Sequence, residues 1–143
     1  MQNTILFAFC LIYEYCMTGI RVVSSILHSN ITGFKLMDLH RHIGSSRISI
    51  VTSSAILHTI SIEKPFRTLG YGSVFLSEME DYLKCMHSIR DIRLLAWQPR
   101  GSYNVVDFYK KNGFDISSEH SDTYDDSSIL YDLYPMCKIL PDK

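Results

Sequence analysis

One stretch restricts this chain more than any other. Over residues 60 to 88 the alternating Ile60-Ser61-Ile62 passes through Pro65 and Phe66 into Arg67-Thr68-Leu69-Gly70-Tyr71-Gly72, and then into a helical pattern. The order is strand, glycine loop, helix. A loop of this kind aims several main-chain N–H groups at one point, with the positive end of the helix macrodipole behind them, which suits a phosphate or pyrophosphate. Gly70 and Gly72 are expected to matter because a Cβ at either position would obstruct the approach of backbone to anion. Arg67 adds a cation at the loop entrance. Nucleoside triphosphates and NAD fit poorly. The loop has no Lys-Ser/Thr pair, and neither a third glycine nor an acidic residue stands where a dinucleotide fold needs one.

Beyond the loop, Val74, Phe75, Met79, Tyr82, Leu83 and Met86 recur at steps of three to four, predicting a helix from about Gly72 to Met86. That stripe faces a core and holds the helix N-terminus in place, while Glu78, Asp81 and Lys84 face water. Ile89 to Trp97 is a nearly continuous apolar run, the pattern of a strand covered on both faces, and Pro99 and Gly101 end it. Residues 102 to 112 predict a short helix with Ser102 as N-cap and Asn112-Gly113 as its stop. Phe114 and Ile116 begin another strand, Glu119 to Ser128 reads as a polar acidic loop, and Ile129 to Leu140 reads as a closing strand.

Upstream of the loop the β-branched runs around Ile48 to Val51 and Ala55 to Ile62 predict two strands joined by a tight turn near Thr52 to Ser54. Phe34, Leu36, Leu39, His40 and Ile43 have the spacing of a short amphipathic helix over 34 to 46, ended by Gly44. Asn30-Ile31-Thr32 spells a glycosylation sequon, read here as an ordinary loop, with Gly33 in a turn. Residues 18 to 29 mix both periodicities and carry no assignment. Thr4 to Met17 is strongly apolar but broken by Glu14, shorter than the ~20 residues a membrane span needs, and reads as a buried element rather than a signal or anchor.

Arg67, Gly70 and Gly72, in the order Arg-x-x-Gly-x-Gly, resemble motif A of the GCN5-related N-acetyltransferases (GNATs). Val105-Val106-Asp107-Phe108-Tyr109-Lys110-Lys111-Asn112-Gly113-Phe114 resembles their motif B. The resemblance implies an α/β (α+β) fold: a mixed, mostly antiparallel sheet with splayed central strands, flanked by helices, in one domain over residues 1–143. Residues 58–140 would form the acetyl-CoA-binding core and 1–57 an atypical acceptor-side region. It implies acetyl-CoA as co-substrate, contacted by Arg67, Thr68, Leu69, Gly70, Tyr71, Gly72 and Ser73. Motif B usually has an asparagine seven positions before its tyrosine; here Ser102 stands there, with Asn104 two residues on, a departure that weakens the expected contact.

Acetyl transfer from a thioester to an amine needs a neutral nucleophile, stabilisation of the oxyanion and a proton for the leaving thiolate. The resemblance gives the proton to Tyr109, since an unperturbed phenol is protonated at neutral pH. It gives the oxyanion to a main-chain N–H around Ile60, Ser61 and Ile62. For the general base, Glu63 at the strand end is the candidate, with His58 farther back as the other; a solvated carboxylate and a satisfied strand histidine are the competing readings. Glu119, His120, Asp122, Asp125 and Asp126 could draw in a cationic amine or serve only solubility.

Composition adds exclusions. A net charge of −1 gives no overall attraction to nucleic acid or anionic membrane. Cys10, Cys16, Cys85 and Cys137 are widely spaced, without a Cys-x-x-Cys pair, and read as reduced, mostly buried thiols of a cytoplasmic protein. His40 and His42 lack a third ligand and read as polar surface, so no metal site is expected. The sequence thus reads as an N-acetyltransferase acting on a primary amine of an unidentified acceptor. The alternatives are a catalytically decayed GNAT-like module that binds CoA or a protein partner, and a protein anchored to membrane by Ile5 to Tyr13. The oligomeric state is open, a homodimer among the alternatives.

Overall fold

β-Branched residues alternating with small and polar ones dominate the chain between Ile20 and Ile62, and they build consecutive antiparallel strands. The computed structural model describes residues 19–28, 30–102, 104–117, 122–126 and 128–142. These form β1 (Ile20–His28), β2 (Ile31–Asp38), β3 (Arg41–Val51), β4 (Ser54–Ile62), α1 (Tyr71–His87), β5 (Asp91–Pro99), α2 (Asn104–Lys111), β6 (Asp115–Ile116), β7 (Asp122–Asp126) and β8 (Ile129–Ile139). One eight-stranded sheet results, in the order β1-β2-β3-β4-β5-β8-β6, with β7 also pairing β8. Only β4 and β5 run parallel; the other pairs are antiparallel. The expected mixed, mostly antiparallel sheet is present.

Several sequence expectations give way. The helix over 34–46 is instead the end of β2, a turn at Leu39-His40 and the start of β3. Phe34 and Leu36 are buried with Lys35 exposed between them, a period of two. The apparent helical spacing came from adding a turn and a bulge to that alternation, since the register slips between Leu36 and Met37 and leaves Ile43 as the extra residue. Gly44 does not end a helix: a Cβ there would lie 2.5 Å from the Ser61 carbonyl oxygen, so it permits close approach of β3 and β4. Gly33 lies within β2, not in a turn, and residues 20–28 form the edge strand β1. Residues 122–126, read as loop, are β7; Glu119 and His120 lie outside the described residues, as does the Thr4 to Met17 stretch. Cys85 is exposed and Cys137 partly buried, both free, so the expectation of mostly buried thiols fails for the described pair.

Both helices cover one face of the sheet. On α1, Phe75, Leu76, Met79 and Leu83 are buried, the Ser46 hydroxyl donates to Met79 Sδ at 2.8 Å, and Tyr82 stacks edge-on against Phe34 with ring centroids 5.1 Å apart. α2 lies on the same side, its Phe108 ring directly against Gly72 of α1. The core beneath them includes Leu36, Ile48, Ala55, Leu57, Ile92, Leu94 and Met136. β5 is not covered on both faces: Ile92, Leu94, Ala96 and Gln98 are buried while Leu95 and Trp97 are exposed. Trp97 instead contacts Tyr124 and Tyr131 on the face that carries no helix among the described residues, at centroid distances of 4.9 and 5.7 Å.

Gln98 is the buried polar residue of that strand. Its Oε1 accepts from both Val105 and Val106 N–H at 3.0 Å, and its Nε2 donates to Ser102 Oγ at 2.7 Å. The cap of α2 is therefore a side chain from the preceding strand, and Ser102 acts through Gln98 rather than as N-cap. Replacing Gln98 by Leu strands two N–H groups at little change in volume; urea unfolding of Gln98→Leu should show a loss of about 2–4 kcal/mol with an unchanged slope.

Candidate functional site

The site begins where β4 leaves β5. The two strands pair only over Ser54↔Asp91 to Leu57↔Leu94. The closed end is fastened by Arg90 N–H donating to the Ser53 carbonyl at 2.7 Å and Ser54 Oγ donating to Asp91 at 3.1 Å. Beyond Leu57 the strands separate, as the resemblance implied. The cause is visible on the other side of β4, where the ladder with β3 steps from Arg47↔Thr59 to Ile48↔Leu57 and leaves His58 as a bulge. A bulge bends its strand and sharpens the twist, so β4 follows β3 and abandons β5 at that residue. Glu63 N–H donates to the Ile43 carbonyl at 2.7 Å. By the alternation of an antiparallel ladder, the main-chain groups of Ile60 and Ile62 therefore turn away from β3, into the gap. Their side chains pack on the core while Ser61 points to the helix-free face.

Parallel strands place both carboxyl ends at the open end of the gap, and α1 starts there. From Thr68 to Ser73 no main-chain N–H has an acceptor among the described residues, and the first helical bond is Val74 N–H to the Gly70 carbonyl. Gly70, the N-cap, has φ +86° and no side chain capping it. Six consecutive donors without an acceptor among the described residues, at a helix N-terminus, are the arrangement that suits an anion. The N-terminus of α2 is different in kind, because Gln98 has already taken its Val105 and Val106 donors.

The two glycines sit in different surroundings. Around Gly70 a Cβ would meet no atom of the chain within 4 Å, so the left-handed φ is what the fold itself requires there, and the space above the residue stays open. At Gly72 a Cβ would come within 3.0 Å of the Phe108 ring, so what it permits is the contact of α1 with α2. Arg67 is exposed, donates from Nε to the Ile62 carbonyl at 2.9 Å, and has no carboxylate partner among the described residues. Phe66 braces the loop, edge-on to Tyr71 at 6.0 Å and beneath the Arg41 guanidinium at 5.3 Å.

Tyr109 lies on α2, edge-on to Phe108 and Phe114 at 5.2 and 5.6 Å. Burial raises its phenol above the ordinary value of 10.0, so the group holds its proton at neutral pH and beyond. Glu63 caps the end of β4 with His42 Nδ1 3.3 Å from its Oε1, while His42 Nε2 is buried without a partner among the described residues. This contact holds the imidazole beside the carboxylate. His58 sits in the bulge, its Nε2 hydrogen-bonded to the Ser49 hydroxyl. Of the sequence candidates, Ile60 to Ile62, Glu63 and Arg67 to Ser73 gather around the open end; Tyr109 and Ser102 lie on the α2 side. Asp125 and Asp126 stand on β7, at the other side of β8. Sequence reasoning missed Gln98 and His42. A glutamine inside an apolar strand just before a break was the available signal for the first; for the second, a misassigned helix hid the pairing. Among the described residues no cluster of His, Cys, Asp and Glu could hold a metal, and no helix is long and apolar enough to cross a membrane.

No family model matches the chain. The uncharacterized protein YyaT of Bacillus subtilis is 32% identical over 77 residues, 54% of this chain and 48% of that protein. The matched part thus spans about half the length of that curated relative. Solved structures align over most of the chain. The ribosomal-protein-S18-alanine N-acetyltransferase of Escherichia coli superposes with a TM-score of 0.69 at 16% identity, covering 81% of this chain and 73% of that one. A GNAT family acetyltransferase of Elizabethkingia anophelis with acetyl-CoA bound gives 0.68 at 11%, covering 85% and 99%. The spermidine N-acetyltransferase of Vibrio cholerae, in complex with CoA and spermine, gives 0.66 at 16%, covering 78% and 66%. The fold is the GNAT fold.

Two measurements follow from the geometry. Gly70→Ala should lower stability by about 1 kcal/mol in chemical denaturation, a purely conformational cost. Because the folded phenol of Tyr109 ionises above 10.0, the unfolded chain loses that proton first, and stability should fall as pH rises through the ordinary phenol range. Tyr109→Phe should flatten that decline in a pH series of denaturation midpoints.

Proposed function

We propose that the protein is an acetyl-CoA-dependent N-acetyltransferase that acetylates a primary amine. The single observation that carries the reading is the run of six unpaired N–H groups, Thr68 to Ser73, at the open end of the β4/β5 divergence. Cradle and gap adjoin one another, as binding a diphosphate at one end of an extended thioester requires. The bound CoA or acetyl-CoA of two solved structures with the same fold supports the same assignment.

In this reading the loop N–H groups and Arg67 hold the pyrophosphate, and Ser102 stands near the cofactor at the start of α2. The main-chain groups of Ile60 and the N–H of Ile62, left unpaired by β5, hydrogen-bond the arm that enters the gap, and one N–H there receives the carbonyl oxygen. As the acceptor nitrogen bonds to the acetyl carbon, that N–H stabilises the negative oxygen. The C–S bond then breaks, and Tyr109, whose phenol is protonated at neutral pH, gives its proton to the thiolate. Glu63, oriented by His42, takes the proton from the amine directly or through water and returns it to solvent.

CoA should raise the melting temperature in proportion to the logarithm of its concentration above Kd. Gly70→Leu should lose that effect. Tyr109→Phe should lower the rate of thiol release about a hundredfold while leaving CoA affinity unchanged. Glu63→Gln should lower the rate of thiol release about tenfold while leaving CoA affinity unchanged. Calorimetry detecting no uptake of CoA or acetyl-CoA by the intact protein would refute the proposal; uptake without thiol release over a panel of amines would reduce it to a binding module.

A further inference from the structure

The face of the sheet that no helix covers among the described residues carries a cavity of about 210 Å³ across β1 to β4. Two cross-strand rows line it. One runs Ser25, Gly33, Arg47, Thr59, and the other reaches Ser61 from Lys35 through Ser45. Thr59 and Ser61 belong to the part of β4 that has left β5, so the cavity borders the gap. Its charged lining is Lys35 and Arg47 only, and neither has a carboxylate partner among the described residues. Glu63, two residues beyond Ser61, is engaged by His42 instead, and Arg93 on β5 is neutralised by Asp91. The chain as a whole is slightly acidic, so this pair of cations is a local feature and not a reflection of net charge.

We infer that the acceptor is an amine carrying an anionic group, a carboxylate or phosphate, held by Lys35 and Arg47 while its amine reaches the gap past Thr59 and Ser61. The inference rests on the acetyltransferase reading for the fate of the amine, but the anion site stands on its own geometry. A guanidinium and an ammonium beside four hydroxyls match the acceptor oxygens of such a group. A polyamine would bring like charge to the same wall and be repelled. Arg47 is one strand and Lys35 two strands from β4, so at ~4.8 Å per strand the anionic group sits roughly 5–10 Å from the open edge. That separation suits an ω-amino acid or an amino-sugar phosphate better than a compact α-amino acid.

The test is calorimetric titration of the intact protein with 6-aminohexanoate, glucosamine 6-phosphate, their uncharged counterparts hexylamine and glucosamine, and spermidine, each with and without CoA. At least one anionic amine should bind at least about tenfold more tightly than its counterpart without the anion and more tightly than spermidine, with affinity falling as salt rises. Lys35→Gln and Arg47→Gln should each weaken that binding about tenfold, Arg47→Lys should restore part of it, and Arg90→Gln should leave it unchanged. Melting temperatures of the variants close to that of the parent show that each is folded. Preference for spermidine, equal binding of charged and uncharged members, or no binding of either anionic amine overturns the inference. Uptake of CoA without any anionic amine sinks this inference alone, whereas uptake of an anionic amine without CoA sinks the acetyltransferase reading and leaves the anion site standing.

Discussion

The parting of β4 from β5 is the constraint on which the other features depend. A parallel pair that stayed zipped to its carboxyl ends would consume the main-chain groups of Ile60 and Ile62 in its own ladder. Here the bulge at His58 commits β4 to β3, while β5 pairs along its whole length with β8. Each central strand has a full antiparallel partner on its outer side, so the inner edges can stay open without loss of order. Pairing costs little to give up at one edge when the opposite edge holds the strand in register.

The two helix N-termini beside the gap show how similar local structure is put to different use. Both begin after a strand from the parallel pair, and both have first-turn N–H groups that no residue of their own helix can satisfy. At α2 the buried amide of Gln98 takes two of them and fixes the helix to β5. At α1 no side chain of the described residues intrudes, Gly70 has open space around it, and Phe66, Tyr71 and the Arg67 contact to Ile62 hold the loop in place from outside. One end is closed for architecture and the other is left available to an anion. The contact of Phe108 with Gly72 joins the two, so the helix carrying Tyr109 is placed relative to the cradle by a position where only glycine fits comfortably.

The sheet also separates the molecule into an apolar side and a polar side. Face by face, Ser24, Phe34 and Ser46 meet α1 and Ile60 packs against the core, while Ser25, Gly33, Arg47 and Thr59 in the alternate positions meet no helix among the described residues. The alternation that builds the core therefore builds the cavity wall as its by-product. Trp97, Tyr124 and Tyr131 continue the same face beyond the gap with an aromatic cluster, so its chemistry changes from cationic and hydroxylic to apolar across the β4/β5 divergence.

From the sequence alone came the strand, glycine loop and helix at 60 to 88, the short helix near 104 to 111 and the closing strand. These are legible because their signals are local: paired glycines, a stripe at helical spacing, a Pro-Gly break. The mixed, mostly antiparallel sheet with splayed strands came from the resemblance that those residues carry. The N-terminal half was read wrongly between 34 and 46, because a bulge and a turn shift the alternation of two strands into something close to helical spacing. Tertiary structure alone decided which N–H groups remain free, since that depends on Gln98 reaching forward to one helix and no side chain reaching the other. It alone decided that Glu63 meets His42 and that Lys35 shares a wall with Arg47 and Ser61. Those partners lie on different strands, and strand register is a property of the assembled sheet, set by bulges whose positions no single strand's residues announce.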